Sequence, residues 1–177
     1  QKIQNIDYNK NIKVIYNGLE PINPDINIHK KNKKRRIISL GRLEIYHKGF
    51  DLAVQVFSGL KRKYKDLEWI IVGKGKDYKK IQRLVQKYEL TDVSFMGYVS
   101  EEEKLDLLNE SIFLLMPSRY EGWGITSLEA AQAKTVTGGF AIEGLREAVI
   151  HNQTGYLANP YDVEEMIHLC TLVIENE

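Results

Sequence analysis

Short apolar runs alternate along the chain with longer stretches in which apolar residues return every three or four positions. Residues 37–40, 69–72, 93–96 and 112–116 form runs of four or five mostly apolar positions, too short for helices, and each predicts a buried strand. Between them, Phe50, Val54, Phe57 and Leu60 share one face of a helix over 50–64, and Ile81, Leu84, Val85 and Tyr88 mark a second. Ser100 with Glu103 three residues on is a capping box opening a helix through Leu108. Residues 125–133 read as a helix, 135–137 as a weak strand, 152–155 as a turn and 163–174 as a final helix. Strands alternating with helices predict an α/β fold, a parallel sheet covered on both faces.

Ahead of this pattern, Ile12, Val14 and Tyr16 alternate as a short strand would, and Asn17-Gly18 ends it with turn chemistry. Pro21 and Pro24 keep the chain extended, and a basic run over 30–36 leads into the first core strand. Residues 1–36 are therefore expected to be an interdomain segment and linker, and 37–177 the domain proper. The basic run is read as a solvated linker, with anionic lipid or nucleic acid as the weaker reading.

Composition narrows the function. The 177 residues fit one domain of ordinary size, and 43% hydrophobic against 28% charged residues is the balance of a globular protein. A formal net charge of +1 gives no bulk reason to expect a nucleic-acid partner. The single cysteine, Cys170, rules out an intramolecular disulfide and is expected to be a buried, inert thiol. No apolar run approaches the roughly 20 residues of a membrane span. The chain opens on Gln1, so a piece of a longer protein is expected, cytoplasmic, with membrane association of the whole left open.

Parallel sheets of this kind bind ligands beyond the carboxyl ends of their strands, so the loops after the strands are where chemistry is expected. Gly41-Arg42-Leu43-Glu44 and Lys48-Gly49 put a planar guanidinium and a compact ammonium in one strand-to-helix loop, suited to a bound anion or to rim salt bridges. Gly73-Lys74-Gly75 begins like a dinucleotide fingerprint, but Tyr78 stands where the third glycine belongs, leaving a tight turn where backbone passes close to a ligand. Residues 117–124, Pro-Ser-Arg-Tyr-Glu-Gly-Trp-Gly, set Glu121 among glycines directly before a helix whose N-terminus favours anions. Glu129 follows eight residues later, and a carboxylate accepts from two adjacent hydroxyls of a sugar at once. Gly138-Gly139 with Glu143 and Glu147 reads as a further flexible loop, and Gly97-Tyr98 as a backbone edge and ring for a flat base or a rim tyrosine. His29, His47, His151 and His168 are scattered; His47, beside Lys48, is the one with a possible ligand contact. No Asp-x-Asp pair or His/Cys cluster has metal-ligand spacing, so no metal site is expected.

Together, Gly41-Arg42 with Lys48-Gly49, Gly73-Lys74-Gly75, the stretch from Phe95 to Val99, and Glu121-Gly122-Trp123-Gly124 with Leu128-Glu129-Ala130 resemble the donor-binding domain of family 4 GT-B glycosyltransferases. The resemblance runs from about Ile12 to the last residue. It implies a Rossmann-like doubly wound parallel sheet, the C-terminal half of a GT-B enzyme, and retaining transfer of a hexose from a nucleoside diphosphate sugar. It implies Arg42 and Lys48 on the diphosphate and Glu129 on the ribose. Glu121 would sit by the donor sugar, with Arg42 and Lys48 stabilising the leaving group. The amides of Gly122, Trp123 and Gly124 and the helix start at Ile125-Thr126 would hold sugar and phosphate oxygens, and Tyr98-Val99 the base. Gly41, Gly73 and Gly75 complete the expected donor site.

The implied partners are a UDP- or GDP-sugar as co-substrate, a lipid or glycan acceptor, and an N-terminal domain of the same protein; no cofactor, metal or nucleic acid is implied. Two departures stand out: Trp123 replaces the usual phenylalanine, and residues 133–137 stand where the family shows Gly-x-Pro-Val-Val. Without the acceptor domain the chain is expected to bind donor and turn over little. A nucleotide-sugar epimerase or sugar phosphorylase of the same architecture, and a non-catalytic nucleotide-binding domain, remain as alternatives.

Overall fold

The structure, a computed structural model, describes residues 15, 18, 19 and 35–176. Apart from residue 15, the expected strand over 12–16 lies outside these, as does nearly all of the expected linker. Six strands, β1 (Arg36–Leu40), β2 (Glu68–Val72), β3 (Val93–Gly97), β4 (Phe113–Met116), β5 (Val136–Phe140) and β6 (Gly155–Ala158), form one sheet in the order β3-β2-β1-β4-β5-β6. Every pairing is parallel. The Rossmann-like doubly wound sheet expected from the sequence is what the chain forms.

Burial explains the strands. In β1, β2 and β4 nearly every residue is buried, whereas β3, at the edge, alternates half-buried and exposed positions. A polar chain ties β2, β1 and β4 together: Trp69 Nε1 donates to Ser39 Oγ (3.1 Å), which donates to the Leu115 carbonyl (2.8 Å). Each buried polar atom in it thereby gains a partner that leaving it in an apolar core would deny.

Seven helices connect the strands among the described residues: α1 (Ile45–Lys48), α2 (Phe50–Lys63), α3 (Tyr78–Lys87), α4 (Glu101–Asn109), α5 (Ile125–Gln132), α6 (Leu145–Ala148) and α7 (Val163–Glu175). One layer brings α2 against α3 and α7; the other brings α4 against α5, and α5 against α6. The Ser100 cap of α4 is formed, its Oγ accepting from the Glu103 amide (3.1 Å).

Several sequence expectations change. Gly138-Gly139 is not a flexible loop but the buried middle of β5, where a side chain on Gly139 would meet Leu145 at 2.5 Å and one on Gly138 the Cys170 sulfur at 3.3 Å. The expected turn is present at 152–154, and it opens β6, a strand the apolar pattern did not disclose, as it did not disclose the four-residue helices α1 and α6. Arg36 opens β1, with its guanidinium on Glu68 (3.0 Å) and Glu110 (3.4 Å), and Arg35 bonds Asp66 (3.1 Å). The end of the basic run is thus ion-paired. Cys170 is buried in α7, which pushes its thiol well above the ordinary range, as an inert thiol requires.

The chain runs from β1 to β2 and β3 on one side, then crosses to β4 on the other side of β1. The strand order therefore reverses between β1 and β4, and connections leaving in opposite directions open a crevice at the carboxyl edge there.

Candidate functional site

The loops after β1, β2 and β4 are locked to one another by glycines. Gly49, between α1 and α2, has φ 65°, and a side chain there would lie 2.0 Å from the Pro117 carbonyl. Gly73 has φ 128°, and a side chain there would strike the Gly41 carbonyl at 1.9 Å. Gly75 is pressed against the Leu43 backbone in the same way, and the Leu43 amide donates to the Lys74 carbonyl (3.0 Å). The tight turn over 73–75 was expected to bring backbone to a ligand; the backbone it approaches is that of residues 41–43.

A cleft of about 360 Å³ lies beyond these loops, lined among others by Gly41, Arg42, Gly73, Tyr98, Val99 and Glu129. Lys74, Glu101, Lys104 and Thr126 face it too. Four segments that are distant in sequence thus converge on one hollow. Arg42, largely exposed, lies 3.5 Å from Glu44, and Glu129 reaches the same cleft from α5. Lys74 Nζ sits 4.9 Å from the centre of the exposed Tyr98 ring, a cation–π arrangement at the rim.

Lys48 and Glu121 do not line this cleft. They lie beside it: Lys48 Nζ donates to Glu121 Oε1 (2.7 Å), and Ser118 Oγ donates to the same oxygen (2.6 Å). The Glu121 side chain is only 8% exposed and that of Lys48 20%. The stem of Lys48 runs past Gly41, whose added Cβ would lie 3.7 Å from Lys48 Cε, so the pair sits directly behind a cleft-lining residue. Lys48 also borders a hollow of about 10 Å³ with Leu40 and Ser118, and Leu40 lines the main cleft as well.

The loop into α5 carries the remaining expected residues. Gly122 is exposed, and a side chain there would meet nothing within 4 Å. Gly124, with φ 71°, is the N-cap of α5, and no side chain caps that helix. Trp123 is half-buried and Ile125 exposed. Of the expected donor-site residues, then, Gly41, Arg42, Gly73, Tyr98, Val99, Thr126 and Glu129 meet in the cleft, and Lys48 and Glu121 adjoin it. Gly75 packs beneath the loops instead of lining the cleft.

A model of the family described as glycosyl transferases group 1 matches residues 22–177. The chain belongs to that family. Among its relatives, the glycogen synthase of Mycobacterium tuberculosis (strain CDC 1551 / Oshkosh) is 33% identical over 154 residues, covering 86% of this chain and 37% of the synthase. Mannosylfructose-phosphate synthase of Agrobacterium fabrum is 30% identical over 139 residues, 73% of this chain and 30% of that protein. This group 1 chain spans less than half the length of these curated relatives. A mutant of S. aureus TarM, solved with Fondaparinux, alpha-GlcNAc-glycerol and UDP, superposes with a TM-score of 0.86 over 98% of this chain and 34% of its own, at 23% identity. Anabaena HepE, solved with UDP and glucose, gives 0.77 over 93% and 47%, at 21% identity. The fold is that of GT-B glycosyltransferase structures.

The group 1 chain also holds residues that its sequence did not single out. Arg119 makes a bidentate pair with Asp51 (both 2.7 Å) and donates to the Ile45 carbonyl (2.9 Å), while its amide donates to the His47 carbonyl (2.7 Å). It staples the loop that carries Glu121 to the helix that carries Lys48. Glu44, almost fully buried, gathers Lys76 and His47 with Arg42 at its edge. The Lys76 hydrogen bond, then that of His47, pulls its carboxyl from the usual 4.5 down to about 2. His47 thus serves Glu44. Lys104, on α4, bonds Glu129 Oε1 (2.8 Å) and Glu101 Oε2 (2.6 Å). Glu143 and Glu147 are exposed. Among the described residues no group of three or more His, Cys, Asp or Glu could hold a metal ion, and no helix is long and apolar enough to cross a membrane.

Proposed function

We propose that the chain is the donor-binding part of a retaining glycosyltransferase that moves a hexose from a UDP- or GDP-sugar to a lipid or glycan acceptor without a metal ion. The observation that carries the reading is the cleft at the strand-order reversal, lined by both Arg42 and Glu129, with the Lys48–Glu121 pair beside Gly41. A ligand spanning that cleft meets a cation for a diphosphate and a carboxylate for a diol. Structural neighbours solved with UDP and a sugar or glycoside support a nucleotide-sugar partner. Because the chain spans under half of its relatives, the reading assigns acceptor contacts to a further domain of the same protein.

In this reading Tyr98 and Val99 flank the base, and Glu129 accepts from the ribose hydroxyls. As the bond to the sugar breaks, negative charge grows on the diphosphate. Arg42, Lys48 and the first-turn amides of α5, which no side chain caps, are fixed positive ends able to stabilise that charge. Lys48 is held by Glu121 through Oε1, which leaves Oε2 to accept a hydroxyl of the donor sugar. Gly122 presents open backbone beside it.

Calorimetric titration of the chain with UDP-, GDP- and ADP-sugars, without divalent ions, tests the proposal. One of them binds, and Arg42→Ala weakens it by about 1.5–3 kcal/mol, the worth of a hydrogen bond to a charged group. Absence of heat with all three, or an unchanged affinity in Arg42→Ala, would sink the reading.

A further inference from the structure

Glu129 does not stand alone at the cleft. Its Oε1 accepts from Lys104 Nζ at 2.8 Å, and the same ammonium bonds Glu101 Oε2 at 2.6 Å. The three side chains differ sharply in exposure. Lys104 is 19% exposed and Glu129 25%, whereas Glu101 is 88% exposed. Lys104 is therefore sunk between α4 and α5, with an outer carboxylate over it and an inner one on the cleft wall. That is unlike the mobile surface ion pair, whose net worth is often nil. Both Lys104 and Glu129 line the cleft, together with Thr126.

A glutamate on a helix has three side-chain torsions, and gripping a diol freezes them. When an ammonium already holds one carboxylate oxygen, that ordering is complete before the ligand arrives, so less binding energy is lost to it. The arrangement is also durable. Burial alone would lower the Lys104 amine, but hydrogen bonds to Glu101 and Glu129 outweigh it and raise the amine above its ordinary value, keeping it charged throughout the neutral range. Besides Glu101, the other charged groups facing the same cleft are Arg42 and Lys74, cations on the loops after β1 and β2, and Lys104 leaves to them the anionic part of a ligand.

We infer that Lys104 is a positioning residue for Glu129, holding its carboxylate in the orientation that accepts a ribose diol and so setting the preference of the cleft for ribonucleotides over 2′-deoxyribonucleotides. The inference rests on the ribose role proposed above for Glu129. It concerns a residue that closes the acidic run Glu101-Glu102-Glu103 on α4 and that the sequence did not single out.

The test compares UDP with 2′-deoxy-UDP, and GDP with 2′-deoxy-GDP, by calorimetry on the chain and its variants. Lys104→Met weakens the ribonucleotide by about tenfold and the deoxynucleotide far less, so the preference collapses. Lys104→Gln keeps an N–H donor without the charge; both nucleotides weaken together and the preference survives. Equal losses for the two nucleotides in Lys104→Met would show that the lysine acts only as a charge and would overturn the inference. Loss of the preference in Lys104→Gln overturns it as well, and that variant carries the test alone if Lys104→Met does not fold. Failure of the underlying reading looks different: Glu129→Ala then leaves the ribose preference of the chain intact. A preference that depends on Glu129 yet survives Lys104→Met removes only the role of Lys104.

Discussion

Two lysine–glutamate pairs stand at the crevice, one beside the cleft and one lining it, and they differ in what they join. The inner pair, Lys48 with Glu121, links the α1 end of the loop after β1 to the loop after β4, 73 residues apart, and is nearly closed to solvent with Ser118 as a third member. The outer pair, Lys104 with Glu129, links neighbouring helices 25 residues apart and shares its ammonium with the exposed Glu101. Similar chemistry thus does two jobs. The inner pair belongs to the frame that holds both halves of the sheet in register at the reversal point. The outer pair is a pre-ordered grip on the cleft wall, backed by a second carboxylate on the same ammonium.

The frame is the place to break this contrast hardest. Gly49 follows Lys48 directly, sits at φ 65°, and lies against the Pro117 backbone one residue before Ser118. Gly49→Ala imposes left-handed strain and a collision with a carbonyl that cannot swing aside, and so costs about 3 kcal/mol or more. For a domain of this size that is a fall in Tm of roughly 6–12 °C by calorimetry. The outer pair should be untouched, so a variant that still folds at low temperature keeps its ribonucleotide preference while losing affinity through the displaced Lys48. A melt within 2 °C of the parent would mean that the two loops are not clamped as described.

The two pairs can then be compared directly by removing each glutamate. Glu121→Ala strands a mostly buried ammonium and a buried hydroxyl, which costs about 2 kcal/mol, less than the loss from a fully enclosed pair because Lys48 retains some solvent. Glu129→Ala leaves Lys104 with Glu101 and costs about 0.5–1 kcal/mol. Urea titrations of both variants give the difference, and equal losses would erase the distinction between frame and grip.

This division also explains what could be read in advance. Strands β1, β2 and β4 are legible because burial on both faces demands unbroken apolar runs. β5 shows only in part, as the weak strand over 135–137, and β6 not at all, because Gly138, Gly139 and Gly155 serve close packing and carry no side-chain period. α1 and α6, at four residues each, are too short to show one. Within the site, Arg42 and Glu121 announce themselves by falling just after strands in glycine-bearing loops, and Lys48 and Glu129 follow on the helices those loops open. Glu44 and Arg119 share the same loops without showing their roles, and Lys104 lies apart on α4. A lysine among glutamates reads as a solvent face until α5 is packed against it, and Arg119 acquires its meaning only from Asp51, 68 residues earlier. Charge that works through a distant partner leaves no local pattern.

A second glycine, in the loop of the inner pair, probes the contrast where stability is silent. Gly122 follows Glu121, yet a side chain there meets nothing within 4 Å, and its backbone is not in the left-handed region that excludes other residues. No part of the described frame requires glycine at this position. Gly122→Ala is therefore expected to move the melting midpoint by less than the equivalent of about 0.5 kcal/mol. Its effect should fall on the ligand instead: if a donor sugar approaches the open backbone beside Glu121, a methyl group in that space weakens the nucleotide sugar while leaving the nucleoside diphosphate alone. Calorimetry with UDP-glucose and with UDP separates the two. Equal affinities in variant and parent for both ligands would move the sugar away from Gly122, and equal losses would place the methyl group against the diphosphate, on the α5 side of the loop.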